Sequence, residues 1–511
     1  MENLILKKKI LSIDELSTRL ETLKAAGKTI ALCHGVFDLL HIGHIRYFRQ
    51  AAKMGDILVV TVTPDDFVDK GPDRPAFTEA LRVEAIASLD AVNFVAVNKW
   101  PTAEETLRLL KPDYYVKGAE FRDQAADITG KIAREAAVVK EVGCELVFAE
   151  DIVFSSSNLI NRYLSQYPEE TKEYLDIFRK RYTLADIIEI VDRMAALNVL
   201  IIGDTILDEY QYCAALGVSS KDPALALHYQ SKDLFAGGVL AVANHVAAFA
   251  GNVQLVTLLG DHERHEEFIR SQLAANVTPH FITQADAPTT LKRRFVDGYS
   301  FTKLFEVYVM ESSGLNKKED KNLCAWMREQ IPRYDLVIAA DFGHGAISGA
   351  LVNDLVDGAK FLAVNTQANA GNRGYHVITR YPRIDFGCLA GHELRLAMRN
   401  EFDHERLMTD RLARRLGCRQ FVSTLGKRGC LVWGRDEDLL GIPAFAKSVI
   451  DRVGAGDAFF SIAALASSLE VPNEILGFLG NIVGAEAVEI IGNKKPIDKL
   501  NIQKHITAIL K

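Results

Sequence analysis

Short apolar runs alternate along the chain with stretches in which apolar residues recur every three or four positions. The runs read as buried strands and the spaced stretches as helices that bury one face. The first helix is predicted over residues 13–26. There Leu16, Leu20 and Leu23 recur at helical spacing, and Ser12 and Glu15 have the spacing of a capping box. Thr29–Cys33 reads as a strand and Ile45–Lys53 as a helix. Ile57–Val62 is apolar on both faces, as in a parallel sheet. A helix from Thr78 to Leu89, a strand Asn93–Val97, a helix opening at Thr102 and a strand Tyr114–Val116 continue the alternation. The second half repeats it with strands at Val199–Ile202, Val253–Leu258, Leu336–Ala340, Lys360–Asn365 and Phe421–Leu425, and a small-residue helix over Val239–Ala250. Such alternation predicts doubly wound α/β architecture in both halves.

A length of 511 residues is more than one ordinary domain holds. The polar stretch from Tyr167 to Lys172 and the amphipathic stretch Thr183–Leu197 predict a helical linker, giving domains over 1–168 and 197–511 with the linker at 169–196. A net charge of −7 argues against a nucleic-acid backbone as partner. Seven scattered cysteines without a C-x-x-C suit free thiols in a reducing compartment. The N-terminal apolar run is too short for a signal peptide, and no stretch reaches the roughly 18 apolar residues of a membrane span. A cytoplasmic protein with no membrane partner is therefore expected.

The densest chemistry lies in Cys33–His44, read C-H-G-V-F-D-L-L-H-I-G-H. It falls between a predicted strand and a predicted helix. His41 and His44, three apart, aim at one point where the helix opens, and Gly43 between them lets a ligand approach the backbone. A helix N-terminus favours anions, so the stretch reads as a phosphate site with two imidazole donors. Zinc is the weaker reading, because a closed site wants four ligands and no Cys/His cluster lies nearby. G-x-F-D-x-x-H-x-G-H resembles the signature of the cytidylyltransferase-like nucleotidylyltransferases. The resemblance implies a Rossmann-like N-terminal domain in which His41, His44 and Lys53 are catalytic. It also implies a nucleotide held by Gly35, Phe37, Asp38, Gly43, Arg82, Lys117, Ser155, Ser156 and Ser157. The three serines precede the helical run Asn158–Leu164 and suit a cap and a phosphate contact.

In the second half the decisive stretch is Asp451–Ser461, read D-R-V-G-A-G-D-A-F-F-S. A Gly-rich turn opening an apolar helix makes an anion hole of backbone N–H groups. An Asp at that helix start can take a proton from an attacking hydroxyl. No Walker-type Gly-x-x-x-x-Gly-Lys-Ser/Thr is present. Gly203-Asp204…Asp208, Gly237-Gly238, Gly260-Asp261, Asp341 and Gly426…Gly429 precede G-A-G-D in the order seen in the ribokinase-like (PfkB) carbohydrate kinases. This resemblance implies Asp457 as catalytic base, with Gly454, Ala455 and Gly456 holding the transferring phosphate. It places the nucleotide at Thr424, Gly426 and Gly429, and the sugar at Asp204, Asp208, Gly237 and Gly238. Glu393 is implied to hold Mg²⁺ through water. A small β lid is expected from segments 210–230 and 290–310, and the resemblance allows a homodimer through it. Two departures stand out: Ala390 replaces the family's Asn before Glu393, and Ala241 or Val242 replaces the Asn after the Gly pair.

A kinase joined to a nucleotidylyltransferase suggests consecutive steps that make a nucleotide-activated sugar. The pair resembles the bifunctional heptose kinase/adenylyltransferases of surface-glycan synthesis, with the domains in reversed order. The implied partners are sugar phosphates and nucleoside triphosphates: ATP for both halves, with CTP the other candidate donor for the transferase. The alternative is an active transferase whose kinase-like half serves as a sugar-phosphate sensor or oligomerisation module. Ala241 and Ala390 motivate that reading.

Overall fold

A computed structural model describes residues 8–68, 74–118, 131–149 and 167–510. The chain divides into two compact units, Met1–Gln166 with Gln503–Lys511, and Tyr167–Ile502.

The first unit is built on a parallel sheet of β1 (Ile30–Gly35), β2 (Ile57–Val62), β3 (Phe94–Val97), β4 (Tyr114–Gly118) and β5 (Glu145–Ala149), in the order β3-β2-β1-β4-β5. Helices cover both faces, which is why β1 is apolar from Ile30 to Cys33 rather than alternating. Its Cys33 lies opposite Val60 on one side and Val116 on the other. The predicted first helix forms over Ile13–Ala25. Ser12 Oγ accepts the Glu15 N–H, and Glu15 accepts the Ser12 N–H in return. The helix after β1 runs Ile42–Ala51, three residues earlier than its apolar spacing suggests, because His41 caps it. The chain order reverses between β1 and β4. Ligands of open α/β sheets sit beyond the carboxyl ends of the strands at such a switch.

The second unit holds a nine-stranded sheet of β6 (Asn198–Gly203), β9 (Asn252–His262), β10 (Val277–Pro288), β13 (Leu336–Asp341), β14 (Leu362–Thr366), β15 (Phe386–Ala390), β16 (Gln420–Thr424), β17 (Cys430–Gly434) and β18 (Glu437–Ile442), in the order β10-β9-β6-β13-β14-β15-β16-β17-β18. It is parallel up to β16 and antiparallel beyond. The small sheet combines β7 (Thr205–Val218), β8 (Leu225–Gly238), β11 (Leu291–Asp297) and β12 (Lys303–Val309) in the order β12-β11-β7-β8. These strands occupy the two segments expected to form a lid. The segment 169–196, read from the sequence as a linker, holds the helices Glu169–Arg181 and Leu184–Arg193 and is part of this second unit. Phe178 stacks on Phe478 with ring centroids 4.2 Å apart, and Arg181 pairs with Glu474 at 2.9 Å. No helix among the described residues is long and apolar enough to cross a membrane.

Candidate functional site

Each unit presents one candidate site at the N-terminus of a helix, Ile42–Ala51 in the first and Ala455–Ser468 in the second. In the first unit Gly35 ends β1 and the chain bends sharply through Phe37, whose φ of +50° is a conformation non-glycine residues rarely adopt. The Phe37 ring pays back part of that strain by packing on Phe48, centroids 5.0 Å apart, and it meets His44 edge-on at 5.5 Å. His41 and His44 stack with centroids 4.0 Å apart. Gly43 N–H donates to His41 Nδ1 at 3.1 Å, which leaves the proton of the neutral ring on Nε2. Burial lowers the His41 pKa, so the ring is a neutral donor at physiological pH.

The other expected nucleotide contacts are distributed unevenly. Asp38 is buried and accepts the N–H groups of Ala76 and Phe77 at 2.7 and 3.1 Å, with Arg74 at 3.5 Å. It thereby ties residues 74–77 to the turn. Arg82 is 2% exposed and donates to the carbonyls of Phe77, Val36 and Thr63 and to Asp65. The structure thus engages it as a brace between three backbone segments. Lys117, next to last in β4, pairs with Glu135 at 2.8 Å. Burial alone would raise the Glu135 carboxyl; the Lys117 and His34 charges and the hydrogen bonds from Lys117 and Tyr115 pull it below its ordinary value. Glu135 was not legible as a site residue, since nothing in sequence links it to β4. Lys53 lies past the end of the helix that His41 opens, about 15 Å along its axis at 1.5 Å per residue. The structure therefore does not gather Lys53 with the histidine pair. Ser155, Ser156 and Ser157 lie outside the described residues.

In the second unit Gly454 caps the helix Ala455–Ser468 with φ +84°, and Asp457 sits in its first turn. A Cβ on Gly454 would lie 2.2 Å from Asn493 Oδ1, so only glycine fits the turn. Burial, then the like charges of Asp208 and Glu393, hold the Asp457 carboxyl up at about 7, against the opposing Lys292 ammonium. Asp208 lies within β7 and ion-pairs with Arg294. Its Oδ2 lies 2.2 Å from where a Cβ on Gly237 would be, so the missing side chain of the Gly pair makes room for this carboxylate. Lys292 lies opposite Asp208 in the parallel β7–β11 register and is 4% exposed, with its ammonium 5.2 Å from the Tyr308 ring. Sequence reasoning passed it over within the basic run Lys292-Arg293-Arg294, although alternation along β11 turns it and Arg294 to one face.

Asp204, expected at the sugar, has both oxygens engaged by the loop after β13. Oδ2 accepts the N–H groups of Phe342 and His344 at 2.9 and 3.2 Å, and Oδ1 accepts Ala346 N–H at 2.8 Å. Glu393 accepts the N–H groups of Ala368 and Ala390 at 3.0 and 2.8 Å, and burial raises its pKa. Among the described residues no three His, Cys, Asp or Glu side chains gather to hold a metal ion. Thr424 ends β16 opposite Cys430, and Gly426 and Gly429 bound the single helical turn between β16 and β17. That turn neighbours Glu393, because Ala390 and Thr424 are partners in the β15–β16 register. Ala241 is buried, and Asn244 one turn later bonds Gln272 and Ala274, so neither replaces the missing Asn.

The sequence matches the pfkB carbohydrate kinase family over residues 196–500, more than half of the chain. The chain belongs to the pfkB family. Residues 32–162 match the cytidylyltransferase-like family. The order, transferase-like before pfkB, is therefore as the sequence motifs indicated. Through the cytidylyltransferase-like part the chain is 37% identical over 154 residues to the bifunctional protein HldE of Desulfatibacillum aliphaticivorans, a match covering 30% of each chain. It is 36% identical over 166 residues to HldE of Geobacter metallireducens, 32% of each chain. The matches thus span about a third of the length of these relatives. The pfkB unit superposes on phosphofructokinase-2 of Escherichia coli in its tetrameric inhibited form with TM-score 0.50, covering 62% of this chain and all of that one at 15% identity, which is a likeness of fold. The arrangement in the pfkB unit suits phosphoryl transfer: a carboxyl poised near neutrality stands beside a helix N-terminus whose first N–H groups face an incoming anion.

Proposed function

We propose that the chain is a bifunctional sugar kinase and sugar-phosphate nucleotidylyltransferase that makes a nucleotide-activated sugar of the ADP-heptose kind for surface-glycan synthesis. The observation that carries this reading is that each unit keeps its own reactive centre: Asp457 at the Gly454 turn, and His41 with His44 at the switch point. The name of the relatives, a bifunctional protein, supports it.

In the kinase half the sugar hydroxyl lies between Asp208 and Asp457. Asp457 takes its proton as the oxygen bonds to the γ-phosphorus of ATP, and ADP leaves. The N–H groups of Ala455, Gly456 and Asp457 hold the charge of the transferring group. Mg²⁺ is carried by the nucleotide phosphates and water, since the described residues form no ligand cluster of their own. Glu393 is the carboxylate that faces such water. In the transferase half an oxygen of the sugar phosphate bonds to the α-phosphorus of a nucleoside triphosphate, and pyrophosphate leaves. His41 and His44 donate to the phosphate oxygens, and the amides at the helix start add to them. The protein works on small molecules in the cytoplasm.

The test is ³¹P NMR with ATP or CTP, Mg²⁺ and panels of sugar 7-phosphates and sugar 1-phosphates. A new sugar phosphate from ATP that disappears in Asp457→Asn, and pyrophosphate release that disappears in His41→Ala, are the expected results. Pyrophosphate release alone across the whole panel would sink the kinase half of the proposal.

A further inference from the structure

In the first unit three donors converge on one buried carboxylate. Glu135, on the helix Lys131–Glu141, is 4% exposed. Its Oε2 accepts the Tyr115 hydroxyl at 2.9 Å and the Lys117 ammonium at 2.8 Å, and its Oε1 accepts the Ala103 N–H at 3.4 Å. Two bonds from separate elements thus fix the carboxylate that meets the ammonium. Lys117 is itself buried, with Nζ 4.9 Å from the centre of the Tyr115 ring. Burial opposes the charge on Glu135, and the Lys117 and His34 charges outweigh it.

The register shows where this ammonium stands. β1 and β4 are the neighbours between which the chain order reverses. Cys33 lies opposite Val116, so the next residues, His34 and Lys117, come side by side near the carboxyl ends of the two strands. Alternation puts Lys117 on the face of Tyr115, which packs with Leu107, Val138 and Val139. The histidine pair belongs to the other face: Phe37, edge-on to His44, packs with Cys33 and Val116. A ligand lying across the carboxyl ends of β1 and β4 meets imidazoles from one side and an ammonium from the other.

A structural role alone accounts poorly for the pair. Removing two charges from water costs about as much as their attraction contributes, and an apolar pair of similar volume holds a fold as well. An ammonium carries three N–H donors, so a phosphate oxygen can join Glu135 as a further acceptor without displacing it. We propose that Glu135 is a positioning residue for nucleotidyl transfer, which aims Lys117 at a phosphate oxygen of a bound substrate. That oxygen belongs either to the nucleoside triphosphate or to the sugar phosphate, and kinetics separate the two. The inference rests on the transferase reading.

The experiment measures pyrophosphate release by the full chain, with kcat and KM determined separately for the nucleoside triphosphate and the sugar phosphate. Glu135→Gln keeps an oxygen for Tyr115 and Ala103 and removes the charge that faces Lys117. It is expected to lose about 10- to 100-fold in kcat/KM, the scale for a group held slightly out of place. Sugar phosphorylation by the same chain stays unchanged. A higher KM for the triphosphate alone assigns Lys117 to the nucleotide, and a higher KM for the sugar phosphate alone assigns it to the acceptor. Lys117→Met shows at least the same loss, and adding Glu135→Gln to it costs little more, because both changes remove one contact. Tyr115→Phe loosens the carboxylate while leaving both charges, and shows a smaller loss in the same kinetic parameter. Unchanged kinetics in Glu135→Gln, or in Tyr115→Phe should the Gln variant fail to fold, overturn the inference and leave the transferase standing with a structural pair. So does a loss that Glu135→Gln adds in full to that of Lys117→Met. A wild-type chain that releases no pyrophosphate from any triphosphate and sugar phosphate of the panel overturns the transferase reading and this inference together.

Discussion

Lys303, on the edge strand β12 of the small sheet, places its Nζ 2.6 Å from Oδ1 of Asp451, the residue that opens the D-R-V-G-A-G-D turn. Tyr210 of β7 donates to the other carboxylate oxygen at 2.7 Å. The same carboxylate accepts the N–H groups of Val453 and Gly492 at 3.2 and 3.0 Å. One buried side chain thus ties two strands of the small sheet to the turn that shapes the anion hole. Burial would raise the Asp451 carboxyl, and these four bonds hold it below its ordinary value.

We predict that Lys303→Met lowers the kcat of sugar phosphorylation about tenfold and destabilises the second unit by about 1–3 kcal/mol. Nucleotidyl transfer is unaffected, and Lys303→Arg restores most of both losses. Steady-state kinetics and thermal melting check this. An unchanged kcat in the Met variant would show that the clasp does not shape the turn.

Asp457→Asn is expected to reduce sugar phosphorylation by about 10²- to 10⁴-fold, the range for a lost general base. Wild-type kcat/KM should fall as pH drops below about 7, where the carboxyl protonates. The stability effect has the opposite sense. The folded pKa lies above the unfolded one, so the cost of the buried charge is absent below about pH 4 and grows as pH rises through 7. The Asn variant should therefore melt higher than wild type at pH 8 and without advantage at pH 4. A lower melting temperature at pH 8 contradicts the assignment of Asp457 as a destabilising buried charge.

His41→Ala and His44→Ala should each reduce nucleotidyl transfer by about 10²- to 10³-fold, the scale for one preorganised donor lost from a developing charge. Phosphorylation by the other unit should be untouched. Pyrophosphate release at saturating substrate measures the first, and ADP formation the second.

Arg82 separates a brace from a ligand. With its donors engaged by three carbonyls and Asp65, Arg82→Met is expected to lower the melting temperature of the first unit, through a loss of about 3–5 kcal/mol of the kind seen when a buried polar network is broken. KM for the nucleotide should change little in protein that remains folded. A large KM effect at unchanged melting temperature would return Arg82 to the nucleotide.

These cases show where the sequence was informative. Apolar runs located four of the five strands of the first sheet and five of the nine strands of the second, because strands buried on both faces have few polar positions to blur them, while β5, β10, β15, β17 and β18 went unread. The two motifs point to a candidate site in each unit, because a Gly-rich turn and paired histidines at a helix start have few other uses. What the order of residues hid was pairing across long distances. Asp451 and Lys303 are 148 positions apart, and Glu135 meets Lys117 from a helix whose own pattern says nothing of β4. The side-chain roles of Asp204, Glu393 and Arg82 were hidden too. A carboxylate that braces a loop and one that faces a substrate are the same letter, and only the geometry of the backbone amides around them separates the two.

The contact between Asp208 and the space left by Gly237 has a consequence for how this protein can vary. The two positions occupy one volume, so neither is free to change while the other stays. A side chain at 237 is admissible only in a background where 208 has already become smaller, and a smaller residue at 208 leaves a hole that only a larger one at 237 fills. Single substitutions at either position should therefore look uniformly harmful. A library that varies both together should recover folded proteins that no one-at-a-time scan contains, each without the Asp208 carboxylate but with Asp457 in place.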